Sequence, residues 1–155
     1  MFFQATAQSD QSPKSWEGNW KGTLQIFNSN TTQDIPVSLQ IQPKETNQWN
    51  FILHYEIEGQ SPREYELINV DNDWKIDEKN GVVLALKKIG NRYATSFSVS
   101  DNTIICYYWI ENSHLLMELH TISEKDKTSS LTDDKLFEIQ HYQVISYQKG
   151  RLIRQ

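Results

Sequence analysis

The chain of 155 residues contains a single cysteine, Cys106. An internal disulfide is therefore impossible, and no zinc site can be assembled from paired thiolates. Glycine and proline are scarce, at six and four, which excludes collagen-like and low-complexity classes. No stretch approaches the roughly 18 apolar residues that a membrane-spanning helix requires. Positive charge is also short: 15 Lys and Arg stand against 20 Asp and Glu, for a net charge of −5. The cations are scattered, so the basic stripe that a phosphate backbone or an anionic membrane surface needs is missing. Cys106 lies in "TIICYYWI" with no basic neighbour to lower its pKa, and reads as a small buried hydrophobe. Motifs of a serine or cysteine nucleophile are absent, a binding role is favoured over catalysis, and no cofactor is expected.

What the chain has in quantity is aromatic residues, 12% of the total, including five tryptophans. It also has a steady alternation of apolar and polar positions. Ile35, Val37, Leu39 and Ile41 alternate with Pro36, Ser38, Gln40 and Gln42; Trp49, Phe51, Leu53, Tyr55 and Ile57 do the same in the next run. Period two marks strands with one buried face. Turn residues separate the runs: "NSNTTQD", "PKETNQ", "EGQSPRE", "DND", "EKNG", "GN", "SDN" and "NS". About ten strands follow at short, regular intervals without crossover helices, which predicts an all-β fold, an antiparallel up-and-down barrel of 8–10 strands. "SEKDKTSSLTDDK" is the one long interruption and has room for a short helix. The last strand is expected over Leu136–Gln148.

Residues 1–15 are polar and aperiodic, and read as a leader to a single domain over 16–155. Within it, Ala5-Thr6-Ala7 before Gln8 offers the small residues that signal peptidase accepts, after Phe2 and Phe3. The leader is either a signal-peptide remnant ending near Ala7, which would place the protein in the periplasm or outside the cell, or a plain disordered segment of a cytoplasmic protein.

Carrying one phase along each strand sends most of the rings inward. Trp20, Trp49, Phe51, Tyr55, Tyr65, Trp74, Tyr93, Phe97, Tyr107, Trp109, Phe137 and Tyr147 fall on one face, with Leu53 and Met117 beside them. Such a face suits a barrel lumen. Ile104, Cys106, Tyr108, Ile110 and Leu116 then form an outward apolar patch, a candidate surface for a homodimer or another partner. In the last strand the same phase puts His141 and Gln143 inside. A bulge would instead place His141 in solvent, with Tyr142 and Val144 inside. Glu118 and His120, two apart on one strand, are the best metal candidates, but they alternate with Met117 and Leu119 and read as solvent-facing.

Gly18-Asn19-Trp20 resembles the Gly-any-Trp element on the first strand of the lipocalins and the wider calycin superfamily. In that group the Trp closes the barrel floor and an Arg after the last strand packs across it; here Arg151 or Arg154 in "SYQKGRLIRQ" holds that place. A guanidinium over an indole is attractive in its own right, by about 0.5–2 kcal/mol. The Thr-Asp-Tyr element of the kernel lipocalins is absent, so the chain looks like a divergent, bacterial-type member. The resemblance implies a carrier or sensor that binds a small hydrophobic, lipid-like molecule inside the barrel, with Phe51, Leu53, Tyr55, Phe97, Tyr107, Trp109, Met117, His141 and Gln143 lining the site. Two other readings stand beside it: a solid aromatic core with a partner-binding surface, and an isomerase- or lyase-type site using His141 or a pocket acid.

Overall fold

The computed structural model describes residues 10–155, so the Ala5–Ala7 signal lies outside the described residues. A 3₁₀ turn over Pro13–Trp16 leads into ten strands: β1 Gly18–Asn28, β2 Thr32–Glu45, β3 Gln48–Tyr55, β4 Arg63–Val70, β5 Asp73–Asp77, β6 Val83–Ile89, β7 Arg92–Val99, β8 Asn102–Glu111, β9 His114–Leu131 and β10 Glu138–Arg154. Each strand pairs antiparallel with its neighbours in sequence, and β1 closes on β10, with Trp20 opposite Arg154 and Asn28 opposite Ser146. The sheet is one closed antiparallel barrel. No helix among the described residues is long and apolar enough to cross a membrane.

The turns explain the simple topology. Asp71 and Asn72 both adopt positive φ between β4 and β5, and Asn112 with Ser113 do so between β8 and β9. Two consecutive left-handed residues give the hairpin turn whose twist matches that of the strands it joins. Asn and Asp accept this conformation because their short side chains bond locally.

The barrel has two unlike ends. At one, Trp16 is fully buried and the Trp20 indole N–H donates to the Trp16 carbonyl at 2.8 Å. Trp49 packs on Trp74 with centroids 5.3 Å apart, and its N–H donates to Glu17 at 2.6 Å. Four of the five tryptophans thus cap this end. The folded unit begins at least at Pro13, which is buried, two residues before the expected end of the leader.

The middle is filled. Trp16 meets Tyr93 edge-on and Tyr108 at a tilt, both at 5.7 Å. Tyr108 on β8 then meets Phe51 on β3 at 6.3 Å. Those strands lie on opposite walls, so rings bridge the lumen from side to side. Val37, Leu39, Ile41, Leu67, Leu115, Met117 and Leu152 complete this core, each with at most 1% of its surface exposed.

Two expectations are corrected here. The residues 123–135 form no helix: β9 and β10 run on past the barrel rim and project as a two-stranded ribbon, exposed almost throughout from Glu124 to Ile145. The last strand extends to Arg154, which brings Leu152 into the core.

On the outer wall Glu66 is held between Lys44 and Lys79, the latter at 3.2 Å. The hydrogen bond from Lys44 is the main reason that its carboxyl titrates below the ordinary glutamate value. A depressed folded pKa stabilises the protein above the unfolded glutamate range, and that stabilisation is lost as pH falls through the folded value. Glu66→Gln should therefore cost on the order of 1 kcal/mol or less at neutral pH. Denaturant midpoints of the two proteins should converge on acidification; a gap that persists in acid contradicts this account.

Candidate functional site

At the end opposite the tryptophan cap, the wall residues that face inward are only half-buried. Ile26, Tyr55, Tyr65, Phe97, Ile104 and Leu119 pack against the core from above and keep part of their surface open. They come from β1, β3, β4, β7, β8 and β9, so they ring the barrel mouth, called the cup below, above the Phe51–Tyr108 contact. Tyr55, Tyr65, Cys106 and Tyr108 bring hydroxyls and a thiol to this apolar ring. Burial pushes the Tyr55 and Tyr108 phenols up, and neither owes any of its shift to a hydrogen bond. Burial also raises the Cys106 thiol to about 12. Tyr55, Tyr108 and Cys106 are thus protonated at neutral pH and offer neutral donors to the ring. On the rim, the Arg63 guanidinium lies 5.0 Å from the Tyr55 ring centre.

The structure separates the residues expected to line one site. Phe51, Leu53 and Met117 are buried inside, and Tyr55 and Phe97 sit at the mouth. Tyr107 and Trp109 are not in the lumen: they lie on the outer wall, as does Tyr147. Ile104, Cys106, Tyr108 and Ile110 point inward instead. The register decides this, because Tyr108 pairs with Tyr93 and with Met117, and paired residues share a face. "TIICYYWI" is apolar at every position after its Thr, so periodicity alone could not phase it. The outward patch expected from Ile104, Cys106, Tyr108 and Ile110 is overturned; of its members only Leu116, on β9, faces out. His141 and Gln143 are exposed on the ribbon, as are Tyr142, Val144 and Phe137. The ladder does shift between His141 and Gln143, but beyond the rim neither face is inside.

The two arginines also part. Arg154 lies over Trp20 at 4.2 Å and donates to the Glu17 carbonyl and, at 3.2 Å, to that of Ser15. Arg151 faces outward, with its guanidinium 3.3 Å from His114. Trp16 and Glu17, which complete the cap, were not singled out from sequence; the signal available was an indole four residues before Trp20.

A second cluster occupies the outer wall. Arg92 stacks on Trp109 at 3.9 Å and donates to Glu118 at 3.0 Å, and the Tyr147 hydroxyl donates to Glu118 at 3.3 Å. Tyr147 in turn stacks with Phe27 at 5.9 Å and meets His120 at 4.9 Å. Glu118 and His120 thus serve a wall network, and among the described residues no group of three His, Cys, Asp or Glu side chains is placed to hold a metal. Beside the network runs an open groove of about 810 Å³, lined by Trp109, Leu116, Lys149 and Arg151 among others. No family model matches this chain, and no curated protein matches its sequence.

Proposed function

We propose that the protein is a non-enzymatic binding protein that takes a small apolar molecule into the cup at the uncapped end of the barrel. The observation that carries this reading is the difference between the two ends: one is stoppered by tryptophans and Arg154, whereas the other leaves six apolar wall residues half-covered. Apolar surface held in a concavity and fringed by a few donors is the usual make-up of a small-ligand site. The tyrosine hydroxyls would select a molecule with one hydrogen-bond acceptor on an apolar body. The resemblance to the lipocalins and their calycin relatives points to the same class of ligand, although the filled middle confines it to the mouth.

The filled lumen also supports a competing reading, a solid-cored module that binds a partner through the outer wall beside Trp109 and Leu116. Titration with an anilinonaphthalene-sulfonate dye separates the two. On the first reading the dye saturates at one per chain, fatty acids compete, and Phe97→Asp with Tyr55→Asp weakens binding at least tenfold. Leu116→Asp would leave binding unchanged. Saturable binding lost in Leu116→Asp and kept in the mouth variants moves the site to the wall. A folded protein that binds no dye removes the cup reading.

A further inference from the structure

We infer that the projecting ribbon pairs with a second copy of the chain along the outer edge of β10, giving a closed homodimer. β1 pairs with β10 only as far as Ser146, so among the described residues the β10 backbone from Glu138 to Ile145 has no strand on that side. Among the described residues the other ribbon edge is open from Lys125 on, because β8 pairs with β9 only up to Ser123 and the Glu124 amide donates to the Asp101 carbonyl.

The two edges differ in chemistry. The β9 edge carries Glu124, Lys125, Asp126 and Lys127 in succession, and the ladder passes from Thr128 to Ser123 on β9 while β10 passes from His141 to Gln143. Four charged residues thus bow out opposite one. Bulges and lysines are the devices that protect an edge from further pairing. The β10 edge carries no lysine, and the one place where β10 holds a residue more than β9 is Ile145, at the end of the segment. Ile139–Ile145 reads Ile-Gln-His-Tyr-Gln-Val-Ile, with no Asp, Glu, Lys, Arg, Pro or Gly. Ile139, Tyr142, Val144 and Ile145 are all exposed, Val144 by 66%. A β-prone, uncharged segment of this length is the kind that adds to its own copy, and an uncovered two-stranded ribbon is marginal without a further strand.

Symmetry restricts the register. A twofold relating antiparallel neighbours stands perpendicular to the sheet and must pass midway between one residue and its own mate, so that paired side chains share a face. Centring it between the two Tyr142 residues sets Tyr142 beside its mate, His141 beside Gln143 and Gln140 beside Val144. No charge then meets a charge. The resulting four-stranded sheet ends on the bulged, lysine-bearing β9 edges of both copies, which stops growth at two.

Sedimentation velocity and amide hydrogen exchange on the full chain test this. Wild type should sediment as a dimer at micromolar concentration, and amides of 139–145 should exchange at least tenfold more slowly than those of 124–127 on the opposite edge. Ile139→Lys with Val144→Lys should give a monomer with unchanged circular dichroism and lost protection. Lys125→Thr with Lys127→Thr should stay associated and add species larger than a dimer. A monomeric wild type, equal exchange on the two edges, or a dimer that survives the double lysine variant overturns the inference.

Discussion

Replacing Trp16 by Ala should lower stability by about 3–5 kcal/mol, the range for removing a large aromatic side chain from a core. For a chain of this length that is a fall of roughly 6–20 °C in melting temperature, at about 2–4 °C per kcal/mol. The reason lies in what Trp16 touches. It sits outside the sheet, yet it is fully buried and contacts Tyr93 and Tyr108, while its carbonyl receives the Trp20 indole. Removing the ring opens a cavity at the centre of the cap that strands held by their ladders cannot collapse to fill. Among the described residues its own buried indole nitrogen has no acceptor. An unpaired buried donor is itself unfavourable, so Trp16→Phe should cost much less, about 1–2 kcal/mol. Urea denaturation of the three proteins gives the comparison. A Trp16→Ala variant within about 1 kcal/mol of wild type would mean that the fold begins at β1 and the turn before it is ornamental.

Gly22→Ala should be the next most damaging change, at about 3 kcal/mol, the upper part of the range for forcing extra atoms into a packed site. A β-carbon on Gly22 would overlap the carbonyl oxygen of Arg151 and stand 2.9 Å from its carbonyl carbon and 3.0 Å from Leu152 Cα. All three are backbone atoms of the strand that closes the barrel, so no rotamer change relieves the clash, and the β1–β10 seam itself must separate. Gly59→Ala is the control. There a β-carbon meets nothing within 4 Å, and only the positive φ of 81° opposes it, a penalty of about 1 kcal/mol. Thermal denaturation followed by circular dichroism should rank Gly22→Ala well below Gly59→Ala. The reverse order would show that the seam is looser than its geometry implies.

The strands that were legible share one property: one face is apolar and the other is not. β2 and β3 alternate cleanly, so Val37, Leu39, Phe51 and Leu53 could be assigned to the interior from their spacing alone. β8 is apolar on both faces, because Trp109 and Tyr107 cover the outer wall under Arg92 while Tyr108 and Cys106 fill the lumen. Nothing local distinguishes the two sets; only pairing to Tyr93 and Met117 does. The β9 half of the ribbon escapes for the opposite reason. The polar and charged residues 123–131 resemble a loop, and their pairing with β10 is a contact between segments distant in the chain.

Composition and alternation in the chain by itself determined that this is an all-β protein of about ten antiparallel strands with an indole near its start and an arginine near its end. These are consequences of side-chain period and turn chemistry, which act within a few residues. The tertiary structure alone decided which face of β8 is inside, that rings meet across the barrel and fill its middle, and that β9 and β10 outrun the rim. Each of these depends on the register between strands: a shift of one residue exchanges the two faces, and that choice is made by partners distant in the chain.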